Sequence, residues 1–265
     1  PMRSFLVLSL ALIASPALAD HLGPSGAGSA SGLAVIAPDT LDAGHGGIGF
    51  RLLYTRPEHR SDAELDALAA QGIGAHNSDY NLNASAGIAY GITHHFTVSA
   101  EVPYVRRDNL REGGIAGIER LGTVAGIGDV SLLAKYRLTG EEGLRFAVIG
   151  GIKMPTGSTQ KRDPQCERLE TEHQPGTGSW DPILGASAAT KLGAIQMTAS
   201  ALYQFSGKGA QMTRLGDRLQ GGVSLSHHFG AQEAEHHHDE AEEHGYHHHD
   251  GAEIPGQASW DAFIE

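Results

Sequence analysis

The sequence predicts an all-β fold, an antiparallel up-and-down transmembrane β-barrel, and three observations carry that expectation. First, apolar and polar residues alternate over unusually long runs. Tyr80, Leu82, Ala84, Ala86, Ile88, Tyr90 and Ile92 share one side, against Asn81, Asn83, Ser85, Gly87, Ala89 and Gly91. After the break at Thr93-His94-His95 the pattern resumes, with Phe96, Val98, Ala100, Val102 and Tyr104 opposing Thr97, Ser99, Glu101 and Arg107. A period of two means strand, and two such runs around a short turn mean a hairpin. Each arm is roughly 11–13 residues, long enough to cross a bilayer with tilt and about twice the usual strand. Second, the connections between runs alternate long and short, as outer loops and inner turns do in outer-membrane barrels. Third, the chain opens like an exported protein, yet no later run reaches the roughly 18 apolar residues of a membrane helix.

The elements follow in order. Residues 1–19 read as a cleaved signal peptide: Arg3 is the charged start, Phe5 to Ala14 the apolar core, and Ala17-Leu18-Ala19 the small-residue cleavage site. Pro1 lies ahead of the methionine that starts this signal. Residues 20–45, rich in Gly, Ser and Ala, are expected to be a flexible leader. The barrel is placed at 46–229. Its first strand is 46–55, with Ile48, Phe50, Leu52 and Tyr54 on one side. The long link 56–78 holds a short helix announced by the capping box Ser61-Asp62-Ala63-Glu64 and stopped at Gly72; it is expected to pack at the barrel mouth or rim.

After the hairpin at 79–107 comes a polar, Gly-rich connection to about Ile127. A fourth strand follows at 128–138, a tight turn, and a fifth strand at 144–154. Residues 155–177 are a third long loop. The sixth strand, 178–190, turns at 191–194 into the seventh, 195–206, and the eighth is 217–229. Pro103 and Pro182 argue mildly against a closed barrel, but both sit near the outer ends of their strands, where pairing can lapse. Residues 230–258 form a His- and acid-rich loop. The run 259–265, SWDAFIE, begins a ninth alternation at Trp260, Ala262 and Ile264, so the sequence reads as a truncated one of eight strands and part of a ninth.

Composition narrows the function classes. With 19 basic and 31 acidic residues, a net charge of −12 excludes nucleic acid as the expected partner. Cys166 is the one cysteine, so there is no disulfide framework, and it reads as incidental. Neither G-x-S-x-G nor H-E-x-x-H occurs, and the Gly-rich strings end strands rather than open helices. The expectation is therefore not an enzyme.

Two constellations stand out. On the lumen side, topology sets Arg107, Asp129, Lys153 and Asp181 near the outer ends of neighbouring strands with alternating sign, and Glu101 lies on the same side. Charges inside a membrane barrel pair with one another. They make either a salt-bridged ring that stiffens the mouth or a selectivity ring. The second is His236, His237, His238, His244, His247, His248 and His249 with interleaved carboxylates, a donor set suited to zinc, copper or nickel. With the first strand rising, this loop falls on the periplasmic side, as do His94, His95, His227 and His228. The other account of it is a solvated low-complexity insertion. No cofactor is required by either constellation.

Four stretches, GIGDVSLLAKYRL (126–138), GGIKMPTG (150–157), GTGSWDPILGASAAT (176–190) and SWDAFIE (259–265), together resemble the outer-membrane family of MetA-pathway of phenol degradation proteins. The resemblance covers most of the mature chain. It implies a barrel of about a dozen strands that passes small hydrophobic or aromatic compounds. The His-rich insertion departs from the family pattern. The reading is an outer-membrane channel that passes small solutes passively through a polar lumen, with outer-membrane lipid and those solutes as its partners and its oligomeric state left open. One alternative is a metal-handling outer-membrane protein using the His-rich loop; another is a soluble periplasmic β-sandwich binding module.

Overall fold

A computed structural model describes residues 35–114, 117–139, 143–229 and 260–264. The strands are β1 (Gly46–Thr55), β2 (His76–Asn77), β3 (Tyr80–Thr93), β4 (Phe96–Gly114), β5 (Gly117–Ile127), β6 (Ser131–Arg137), β7 (Arg145–Lys153), β8 (Asp181–Leu192), β9 (Ile195–Gln204), β10 (Arg218–Phe229) and β11 (Trp260–Ile264). They form a single antiparallel sheet ordered β1-β3-β4-β6-β7-β8-β9-β10-β11, an open half-barrel. Along this path each strand pairs antiparallel with the next in an up-and-down course, while β2 and β5 lie off it and both pair with β4. A sandwich would need a second sheet packed on the first, and the described residues contain only one.

The two faces separate as the alternation requires. Ile48, Phe50, Leu52, Ile88, Tyr90, Leu132, Tyr136, Leu184 and Val223 are exposed on the outside, Phe50 at 81 %. The positions between them point inward: Asn83, Ser85, Thr97, Glu101, Ser131, Lys135, Ser187, Thr198 and Ser224 are all buried. An apolar outer face with a polar inner one inverts a water-soluble sheet and fits a wall in lipid. Aromatics edge this wall. Tyr54 stacks on Tyr80 at 5.5 Å and Tyr203 meets Phe205 at 4.7 Å near the loop end, while Phe96 and Tyr136 pair at 6.5 Å near the turn end. From Tyr80 to Tyr90 along β3 is about 33 Å of strand, or about 25 Å of height at a barrel tilt near 40°, the height of a membrane barrel's apolar band.

The stretch expected as a loop over 108–127 is instead a hairpin. β4 runs 19 residues: its lower half pairs with β6 and its upper half with β5, so the hairpin rises beyond the wall. Its buried apolar residues, Leu110, Leu121 and Val124, are few, set among charged residues and glycines, and thrown out of a period of two by register shifts around Leu110, so no alternation is there to read. Pro103 sits where β4 changes partner, and its carbonyl accepts from the Gly128 N–H at 2.8 Å. Pro182 is the second residue of β8, and its carbonyl accepts from the Phe205 N–H at 2.9 Å. Both prolines thus supply the acceptor they have and avoid a position that needs a donor.

The helix α1 (Asp62–Ala69) forms as its capping box requires. Ser61 Oγ accepts from the Glu64 N–H at 3.3 Å, and Glu64 Oε2 accepts from the Ser61 N–H at 2.7 Å, which holds the Glu64 carboxyl below the usual range. Gly72, at φ +73°, closes its end: the Gly72 N–H bonds Ala69 O and the Ile73 N–H bonds Leu68 O. Leu65 is fully buried against the β4–β5 hairpin, and Asp62 accepts from Arg111 at 2.5 Å and Arg120 at 2.9 Å.

Part of the segment expected to be a flexible leader lies inside the half-barrel. Residues 35–45 cross the inner face near the turn end, from β10 to β3. The Ile36 N–H donates to Ser200 Oγ at 3.1 Å, Lys135 Nζ to Ala37 O at 2.9 Å, and the Leu41 N–H to Thr97 Oγ1 at 2.9 Å. Arg145 pairs with Asp39 at 2.5 Å, and Gly44 and His45 exchange backbone bonds with Gly91. Gly91 must be glycine here, because a Cβ would lie 2.6 Å from Leu41 O. Ile36 seats among Leu133, Ile149, Ile183 and Leu202, apolar residues on the inner face.

Candidate functional site

The inner face and its loop-end opening form the candidate site. Three of the residues picked from sequence meet there. Lys153, the last residue of β7, lies 2.9 Å from Asp129 Oδ2 and 2.8 Å from Asp181 Oδ2, with all three side chains nearly inaccessible. The register explains it. Lys153 pairs with Ser131 on one side and Asp181 on the other, so both carboxylates flank its ammonium. Each carboxylate is saturated further. Asp129 accepts from the Gly157 N–H at 2.9 Å and from the Thr177 N–H and hydroxyl at 2.7 Å each. Asp181 accepts from Gln204 Nε2 and the Gly207 N–H, both at 2.9 Å. Lys153 also donates to Thr177 Oγ1.

Charged groups taken out of water this completely persist only when paired and fully bonded. The triad therefore ties the wall to both ends of the long loop between β7 and β8. Gly157 and Gly176 approach each other at Asp129 so closely that a Cβ on either would fall 2.6–2.7 Å from the other's backbone. The loop is stapled internally by Gln174, whose amide donates to Lys161 O at 3.0 Å and Leu169 O at 2.8 Å.

The other two predicted residues sit elsewhere on the same face. Arg107 donates to the carbonyl of His173 at 3.0 Å, holding the tip of the loop. Glu101 pairs with Arg51 of β1 at 3.2 Å. His236, His237, His238, His244, His247, His248 and His249 lie outside the described residues. The inner face also carries Lys135, Arg137 and Arg145, which sequence reading left without a role. A signal for the crossing segment did exist. Leu133, Ile149, Ile183 and Leu202 are apolar at inward positions, and Val35-Ile36 is an apolar spot in a Gly-rich leader.

At the opening, the loop meets the β4–β5 hairpin through Leu110, Leu121, Val124 and Leu169. Beside this contact is a cleft of about 440 Å³, lined by Glu112, Glu119, Asp163, Glu167, Glu170 and His173 among others. The inner face is thus covered twice, by residues 35–45 near the turns and by the long loop near the opening.

Residues 66–250 match the family described as "Putative MetA-pathway of phenol degradation". No curated protein matches the chain. Among the solved structures that match is an outer membrane channel from Pseudomonas putida F1, which is 17% identical, with a TM-score of 0.43 over 72% of this chain and 68% of that one. The family match spans well over half of the sequence, so the chain belongs to the MetA-pathway of phenol degradation family.

Proposed function

We propose that the protein is an outer-membrane channel that passes small solutes passively along its inner face. The observation that carries this reading is the inverted sheet: long strands whose outward rows are exposed and apolar and whose inward rows are buried and polar. Family membership supports the same reading and favours small aromatic compounds as the solutes. Among the described inward residues, Arg51, Arg107, Lys135, Arg137, Arg145 and Lys153 outnumber Asp39, Glu101, Asp129 and Asp181. A lumen with excess positive charge favours anions. The predicted selectivity ring then acts through this balance, with the Asp129–Lys153–Asp181 triad fixing the loop that narrows the path.

The test has two arms. Envelope fractionation should place the protein in the outer membrane, and its electrophoretic mobility should change on heating. In planar bilayers under a salt gradient, the reversal potential should favour anions and should move toward cations in Arg137→Gln. A soluble periplasmic protein would refute the location, and a reversal potential indifferent to Arg137 would refute the selectivity.

A further inference from the structure

At the loop-end opening, three separate parts of the chain bring metal-binding side chains together. His76 comes from β2, and its partner across the strand pair is Glu112 of β4. Glu172 and His173 come from a single 3₁₀ turn, Thr171–His173, at the tip of the long loop. One ligand atom each of His76, Glu172 and His173 lies within 4.8 Å of the others. His173 Nε2 is 3.0 Å from Glu112 Oε2 and 3.7 Å from Glu172 Oε1. We propose that His76, Glu112, Glu172 and His173 bind a divalent transition-metal ion of the zinc type, which fastens the long loop to the rim.

The distances argue for this. A tetrahedral zinc with bonds of about 2.0–2.1 Å has ligand–ligand edges of about 3.3–3.4 Å. The two His173–carboxylate separations bracket that edge. The ligand atoms of His76, Glu172 and His173 lie within 4.8 Å of one another, wider than that edge, and His76 and Glu172 are both exposed and able to turn inward, while Glu112 joins the set through its 3.0 Å contact with His173.

The anchor is already rigid. His173 is 1 % exposed, its carbonyl is held by Arg107, and two residues earlier the Thr171 hydroxyl donates to Ala210 O at 3.0 Å. Its Nδ1 has no hydrogen-bond partner, so its polar contacts run through Nε2, toward the two carboxylates. The rings of His76 and His173 meet edge to face at 5.3 Å. Two imidazoles and two carboxylates form a mixed nitrogen and oxygen set suited to zinc and its neighbours rather than to calcium or magnesium. The neighbouring cleft, with Glu119, Asp163, Glu167 and Glu170 on its walls, would raise the local concentration of cations.

The experiment uses the full chain in detergent, with the seven histidines at 236–249 replaced by serine to remove competing donors. Calorimetry with zinc should show one ion per chain, and cobalt should give the strong visible bands of a four-coordinate site. His76→Ala and Glu172→Gln should each weaken binding about tenfold or more. Zinc should slow tryptic cleavage after Arg162 and Arg168 in the loop, and should not do so in His76→Ala. Because His76 is exposed, its replacement leaves the fold intact and isolates the metal. The absence of zinc binding in the serine-substituted chain would overturn the proposal, as would binding and protection unchanged in both variants.

Discussion

Replacing Ile36 by Asp should expel residues 35–41 from the inner face. The magnitudes make this segment a sensitive point. Ordering seven residues costs about 7–14 kcal/mol of backbone entropy. Against that, burial of Val35, Ile36, Ala37 and Pro38 contributes about 6–7 kcal/mol. Hydrogen bonds through Ile36, Ala37, Thr40 and Leu41 add about 4 kcal/mol, and the Arg145–Asp39 pair about 1–2 kcal/mol. The two sides agree to within a few kcal/mol, so the segment is held narrowly. Asp at position 36 removes about 2–3 kcal/mol of apolar burial and puts a carboxylate among Leu133, Ile149, Ile183 and Leu202, at a cost of several kcal/mol more. The balance then favours release. Ser187, 2 % exposed beside Ser200 on the inner face, reports it: in a Cys166→Ser background, Ser187→Cys should be protected from a charged thiol reagent and become reactive once Ile36→Asp is added. Conductance should rise in parallel. A cysteine equally protected in both backgrounds would refute the argument that this apolar seat holds the segment.

Two further outcomes follow from the same structure. Phe50→Lys, at an outward and exposed position midway along β1, should lower unfolding stability in phospholipid vesicles by about 2–4 kcal/mol, as measured by urea titration; an unchanged midpoint would mean that this face does not meet lipid. Lys153→Met leaves Asp129 and Asp181 buried without their shared cation and should cost about 3–5 kcal/mol, followed by the fluorescence of Trp180 next to Asp181; a loss below about 1 kcal/mol would show that the backbone and Thr177 donors suffice on their own.

Much of the site was legible because charge and strand register are both local. Asp129, Lys153 and Asp181 could be placed together from the alternation and the order of strands, and the pairing of Lys153 with Ser131 and Asp181 brings them into contact. Arg107 was placed on the correct face, but its bond to His173 depends on how a long loop folds back, which no local pattern encodes. The hairpin at β4–β5 was missed for a related reason. Its buried apolar residues Leu110, Leu121 and Val124 are interrupted by Glu112, Gly113 and Glu119 and by register shifts at Leu110, so their spacing departs from a period of two and the main-chain ladder beneath it leaves no mark in side-chain chemistry.

By itself, then, the order of residues determined the sheet, its two faces and the capped helix at Ser61, because strand periodicity and helix capping are settled within a few neighbouring positions. Only the folded chain decided what fills the inside. Ile36 finds Leu202 and Ile183, and His76 finds His173, across sequence distances that the closing of the sheet removes. Such encounters are fixed by the geometry of the wall, and so they are visible only once the wall exists.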